Sequence, residues 1–226
     1  MSKMNSAHGQ FSLKRREFYW AERIYTNQVV KLLPFLDRTF LTPNMVTVSN
    51  IINAVIACFL IWGEHHKTAA LLVQVYLFLD ILDGNLARYK NLCTPWGKIL
   101  DQISDRFFYN IFFVVLAIKL GMDWYWLLFY LLVHNVYGIV ATFIIVPQIR
   151  RLKEFKRWGI KKYLMERGII LGMDLSTQSV ITTVLLFTPF KEWIIYSITL
   201  LYALDLLYRL IELGINLRSV QKLSAQ

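Results

Sequence analysis

Four aspartates, Asp80, Asp83, Asp101 and Asp105, stand within or beside long apolar runs. A charged residue there costs about 2.5–3.5 kcal/mol at the centre of a membrane-spanning helix. Asp80 and Asp83 are spaced i, i+3, with Gly84 and Ala87 on the same stripe, and Asp101 and Asp105 are spaced i, i+4. Each pair therefore lies on one helix face. The two helices are joined by a short link around residues 89–96, which makes them antiparallel neighbours. Measured from Arg88 and Gly97, the pairs stand at matching depths, within ~12 Å of the same end. Four carboxylates in one small volume cannot all stay ionised without cations. Hard oxygen donors in a wet, anionic pocket suit Mg²⁺ or Mn²⁺, and two divalent ions would balance the four charges. Gly84 and Ala87 remove bulk beside the carboxylates, leaving room for a large substrate or for close helix contact. Arg88, one turn beyond Gly84, is a natural partner for a phosphate.

The elements that must position these residues are transmembrane. The chain has 226 residues, 56% of them hydrophobic and 18% charged. Globular chains carry roughly 45–50% apolar and about 25% charged residues, so a disordered chain, a disulfide scaffold and most soluble enzymes are excluded. Spans need ~20 mostly apolar residues, and six are expected, at 44–63, 69–88, 97–119, 124–147, 168–188 and 193–213. All five prolines are expected between elements. Thr42-Pro43 and Thr94-Pro95 pair an N-cap with Pro at the first helical position, and so start the first and third spans. Residues 17–33 place Phe18, Ala21, Ile24, Tyr25, Val29, Leu32 and Leu33 on one side, as an amphipathic helix in the membrane interface would. A small soluble helix packed on the bundle is the competing reading. No run in the first 40 residues is long enough for a signal peptide core. The expected organisation is all-α: residues 1–40 form a tail and juxtamembrane helix, and residues 41–226 a six-span bundle.

Charge gives the orientation. The net charge is +10, from 25 Lys+Arg against 15 Asp+Glu. With a cytoplasmic N-terminus, every basic residue except Lys67, Lys119 and Lys191 falls on the cytoplasmic side, as the positive-inside rule requires. The basic excess is thereby explained without nucleic acid. Cys58 and Cys93 lie in different contexts and imply neither a disulfide nor a metal site.

Written out, the central segment is Asp80-x2-Asp83-Gly84-x2-Ala87-Arg88-x8-Gly97-x3-Asp101-x3-Asp105. It resembles the signature of the CDP-alcohol phosphotransferase (CDP-alcohol phosphatidyltransferase) family at every fixed position, with both gaps of matching length. Thr42-Pro43-Asn44-Met45-Val46-Thr47 also resembles the start of the first span in many members. The resemblance implies that a CDP-linked group is transferred to an alcohol and that CMP leaves. It implies that Asp80, Asp83 and Asp101 are metal ligands, and that Asp105 is the general base beside the second metal. Asp83, Gly84, Ala87, Arg88, Gly97, Asn44 and Thr47 would border the CDP group. It further implies a homodimer open to cytosol and lipid.

CDP-diacylglycerol with a polar alcohol is the expected substrate pair. The opposite polarity, CDP-choline or CDP-ethanolamine acting on diacylglycerol, shares the signature. An ion-coupled transporter is the rival from another class, since aspartates within membranes often mark ion pathways; a scaffold without activity would not need all four. Soluble prenyl-transfer enzymes space their aspartates differently. For the acceptor, the candidates are Arg150 and Arg151, which begin the basic loop 148–167, with Asn135 and Asp174. The loop also reads as topology plus attraction to anionic lipid. His134 reads as a cavity residue or a satisfied bundle residue, and Asp174 as a partner of an amine or of the basic loop. Asp205, Arg209 and Glu212 read as a self-neutralising cluster, and Gly168-x3-Gly172 as a close helix contact. A bacterial or archaeal cell membrane is the preferred location over a eukaryotic internal one.

Overall fold

The computed structural model describes residues 4–6, 9–11, 13, 18–152 and 155–224. Two minimal strands, β1 (Met4–Ser6) and β2 (Gly9–Phe11), form an antiparallel hairpin, and β3 (Phe18–Tyr19) leads into α1 (Trp20–Asp37). Then come α2 (Pro43–Trp62), α3 (His66–Tyr89) and α4 (Pro95–Phe107). A π-helical turn, Phe108–Phe112, joins α4 to α5 (Phe113–Lys119). A second, Ala141–Ile145, joins α6 (Trp124–Val140) to α7 (Val146–Arg151). The chain ends with α8 (Gly159–Glu166), β4 (Ile169–Ile170), α9 (Leu175–Leu186) and α10 (Trp193–Ser224). The protein is thus essentially all-α.

Among the described residues, four helical stretches are long and apolar enough to cross a membrane: Pro43–Trp62, His66–Tyr89, Trp124–Arg151 and Trp193–Ser219. The expected start signals are in place. The Thr42 hydroxyl accepts from the Met45 amide and the Thr94 hydroxyl from the Gly97 amide, each with Pro at the first helical position. The stretch expected to run from 168 to 188 differs most. Its helix covers only Leu175–Leu186, ~18 Å of rise against the ~30 Å of a bilayer core. Positive φ at Gly168 and the side-chain oxygens of Asp174, which cap the Ser176 and Thr177 amides, delay the helix start. Gly168 and Gly172 consequently lie in an irregular connection, not on a helix face.

Two prolines also depart from expectation. Pro34 lies inside α1, in its last turns, where few hydrogen bonds remain to be lost. Pro147 lies inside the continuous stretch Trp124–Arg151. It has no N–H to donate, and the π turn just before it absorbs the missing bond.

The core is aromatic and polar-stitched. Tyr76, Phe108, Phe112, Phe113, Tyr130 and Tyr202 are fully buried in one cluster with small residues of α2 and α3. Helices in lipid associate without a strong hydrophobic drive, so hydrogen bonds between them matter. Asn50 and Asn53 of α2 donate to the Tyr76 and Leu72 carbonyls of α3. Gln74 of α3 donates to the Ser179 carbonyl of α9 and accepts from Tyr25 of α1. Gln178 of α9 bridges Tyr130 and Tyr202.

Helix α1 packs on α3 and α9. Its buried stripe is Ala21, Thr26, Val29 and Leu33. Ile24 and Leu32, expected on that same side, are exposed, as is Phe35, so α1 has a bundle-facing stripe and a separate exposed apolar one. Phe18 lies in β3, before the helix begins. Buried Lys90 donates to the Thr39 and Leu41 carbonyls and pins the α1–α2 link.

Candidate active site

The site forms where α2, α3 and α4 meet. Carboxylate oxygens of Asp80, Asp101 and Asp105 lie within 4.8 Å of one another. The i, i+4 pair on α4 and one member of the α3 pair therefore converge. Asp83 is outside that trio. It is buried, and its Oδ2 accepts a 2.6 Å hydrogen bond from the Thr47 hydroxyl of α2. The Tyr76 hydroxyl donates to Asp105 at 3.3 Å and lies 3.0 Å from Ser104 Oγ. The Tyr76 ring is stacked on Phe108 at 3.8 Å, which fixes where that hydroxyl points.

The glycines expected to border a nucleotide differ in their surroundings. A Cβ on Gly97 would stand 3.1 Å from both Asn44 Oδ1 and Thr94 Oγ1. Gly97 thus lets the start of α4 approach the start of α2, and it places Asn44 beside the signature. A Cβ on Gly84 would meet only the Arg88 guanidinium, at 3.6 Å, so Gly84 leaves space that Arg88 overlooks. Arg88 Nη2 donates to Asn85 Oδ1 at 3.0 Å, and Ala87 is on the same helix, half-buried. Gly97→Val is expected to force the α2–α4 seam apart at about 1–3 kcal/mol, the usual cost of overpacking. A lower melting temperature in detergent checks this, with Gly97→Ala falling between Val and wild type.

Asp80 and Asp105 open on a cavity of about 910 Å³. Its walls include His134, Asn135, Arg150 and Asp174 from among the acceptor candidates; Arg151 does not line it. Asn135 is held by Asn110 Oδ1 at 2.9 Å. Asp174 caps α9, accepting from the Ser176 and Thr177 amides and from Ser176 Oγ. The ring of His134 lies among Tyr109, Tyr130 and Tyr202.

Arg157, Lys161 and Arg209 also line the cavity. The expected Asp205–Arg209–Glu212 cluster is divided. Arg209 Nε donates to Asp205 Oδ2 at 2.7 Å, whereas Glu212 meets Arg157 at 3.4 Å and Lys161 at 3.3 Å from the loop. Burial pushes the Lys161 ammonium below its ordinary pKa, opposed by the Glu212 carboxylate. The periodicity of α10 could show Asp205 and Glu212 but not the distant cations that reach Glu212. Tyr76 was likewise invisible as a site residue, because an isolated tyrosine in an apolar run carries no spacing signal.

Three carboxylates from two helices fit a divalent cation by their chemistry, being all-oxygen, anionic and close enough to share one ion. A bound divalent ion there would neutralise charge on a diphosphate.

Comparison with known proteins agrees. The CDP-alcohol phosphatidyltransferase family model matches residues 40–205. A CDP-diacylglycerol–glycerol-3-phosphate 3-phosphatidyltransferase of Aquifex aeolicus is 26% identical over 173 residues, 69% of this chain and 93% of that protein. A phosphatidylinositol phosphate synthase of Cutibacterium acnes is 36% identical over 73 residues, 32% of this chain and 35% of that one. An archaetidylinositol phosphate synthase of Pyrococcus horikoshii is 32% identical over 66 residues, 29% of this chain and 35% of that one. With its apolar helices and its aspartates gathered across α3 and α4, the chain belongs to the CDP-alcohol phosphatidyltransferase family and is a membrane transferase of phosphate-containing groups.

Proposed function

We propose that this protein moves the phosphatidyl group of CDP-diacylglycerol to a polar alcohol, releasing CMP, on the cytoplasmic face of a cell membrane that it crosses six times as a homodimer. The observation that carries the reading is the Asp80–Asp101–Asp105 trio, of which Asp80 and Asp105 line a large cavity whose wall also holds Arg150, Arg157, Lys161 and Arg209. The exposed apolar stripe of α1, with Ile24, Leu32 and Phe35, supports its lying in the interface.

The roles follow from the residues. Asp105 accepts the proton of the acceptor hydroxyl, and Tyr76 steadies its Oδ1. The alcohol oxygen bonds to the lipid-side phosphorus as the bond from phosphorus to the CMP oxygen breaks, and the proton remains on Asp105. Thr47 orients Asp83. Asp80, Asp83, Asp101 and Asp105 would hold two Mg²⁺ or Mn²⁺ ions. Gly84, Ala87 and Arg88 on α3, with Asn44 and Gly97 at the α2–α4 seam, would border the CDP group.

The acceptor class we favour is an alcohol that carries a phosphate. Glu212 faces two cations, Arg157 and Lys161, and Arg150 makes no ion pair among the described residues. Arg150 is thus available on that wall to an anionic group. Two of the relatives above are named for glycerol 3-phosphate or inositol phosphate products and substrates.

The test is CMP release from CDP-diacylglycerol by purified protein, with separate pools of glycerol phosphate, inositol phosphate, inositol and serine. CDP-choline with diacylglycerol tests the reverse polarity. Release with a phosphorylated alcohol supports the reading; release only with uncharged acceptors removes the acceptor class. Ion-dependent uptake into liposomes with no CMP release would remove the enzyme. Arg150→Ala is expected to raise the KM for the phosphorylated acceptor about tenfold, as for one lost hydrogen bond to a charged group.

A further inference from the structure

The reaction as proposed makes no use of the way the chain just before α1 is tied across the cavity. Phe18 and Tyr19 pair in parallel with Ile169 and Ile170. The Phe18 amide donates to the Gly168 carbonyl at 3.2 Å, and Arg23 Nη1 to the Arg167 carbonyl at 2.8 Å. The Tyr19 hydroxyl accepts from Arg209 Nη2 at 2.8 Å. Arg209 is in turn bonded through Nε to Asp205 Oδ2, which also accepts from the Tyr137 hydroxyl at 2.6 Å and the Met173 amide at 3.2 Å. One half-buried charge pair on α10 therefore gathers the β3 strand, the 168–173 connection and α6. Gly172 permits this closeness, since a Cβ there would stand 2.9 Å from Arg209 Nη2 and 3.0 Å from Asp205 Oδ1.

Tyr19, Ile170, Met173 and Arg209 all line the same cavity as Asp105. Two residues of paired strand have no stability of their own. The segment stays in place through these few side-chain tethers, which is the pattern of a locally openable element.

We propose that β3 and the 168–173 connection form a strap across the acceptor cavity, latched by Tyr19 on Arg209, and that the closed strap makes the alcohol prevail over water as acceptor. The inference rests on the function proposed above. When the strap opens, water enters. Its oxygen bonds to the lipid-side phosphorus, the bond to CMP breaks, the proton leaves through Asp105, and the products are phosphatidic acid and CMP. Tyr19 acts here as a positioning residue through Arg209.

Purified wild type is compared with Tyr19→Phe, which removes only the hydroxyl, and with Arg23→Gln, which removes an independent tether of the same strap. The ratio of phosphatidic acid to alcohol-linked phospholipid is measured, with ¹⁸O-water marking hydrolysis. Amide hydrogen exchange across residues 168–173 is measured on the same samples without substrate. The expected result is a ratio raised about tenfold in each variant, the effect of one hydrogen bond to a charged group, with faster exchange at 168–173. Faster exchange with an unchanged ratio overturns the control of acceptor choice. Unchanged exchange in both variants overturns the strap. If wild type releases no CMP with any acceptor, it is the function reading that fails, and the strap is then judged by exchange alone.

Discussion

Asp105→Asn is expected to lower the rate of CMP release by about 10²–10⁴-fold, the range for loss of a positioned general base. The amide keeps the shape of the carboxyl and can still accept from the Tyr76 hydroxyl, which lies 3.3 Å from Oδ1 in the wild type. It cannot take up a proton. The fall should therefore appear in single-turnover rates at saturating CDP-diacylglycerol, and not merely in donor affinity. Tyr76→Phe is a milder change, expected to cost about tenfold, because it removes only one neutral donor to a charged group. Undiminished turnover in Asp105→Asn, with metal binding intact, would take the proton-accepting role away from this residue.

Removal of divalent cations is the second large effect. Dialysis against a chelator is expected to abolish CMP release, and Mg²⁺ or Mn²⁺ is expected to restore it. Asp80→Asn should shift the metal concentration needed for half-maximal activity upward and lower the maximal rate about 10²–10³-fold, as for other groups that stabilise developing charge. Asp80 is chosen for this test because its carboxylate lies within 4.8 Å of two others, on a different helix. Full activity in chelator would sink the metal assignment. Thr47→Val offers a graded companion, since it removes the hydroxyl that orients Asp83 without touching the carboxylate trio.

Much of the site was legible because it is local. Helical spacing told which aspartates share a face, and the Thr-Pro pairs told where α2 and α4 begin. What spacing could not tell is that Asp83 turns to Thr47 while the other three gather. That choice depends on a hydroxyl on a different helix. The same holds for Glu212, whose partners approach from residues 157 and 161. The helix expected at 168–188 is shorter than its apolar run for a definable reason. Hydropathy counted Ile169, Ile170 and Leu171 as membrane residues, but the glycines around them and the cap at Asp174 break the helix. Part of that apolar run is spent on β4, paired with a strand more than a hundred residues earlier. Pro147 misled in the opposite direction, since a proline usually marks an end and here a widened turn carries the helix past it.

The π turn at Phe108–Phe112 follows Asp105 almost directly. A single added residue advances the side chains beyond it by ~100° about the helix axis. The angular phase of α5, whose Phe113, Leu116 and Ala117 are buried, is thereby uncoupled from the phase that aims Asp101 and Asp105. Each half of this rod can point its own way, so the outer half is free to be repacked without steering the carboxylates off target, provided the wide turn between them is kept.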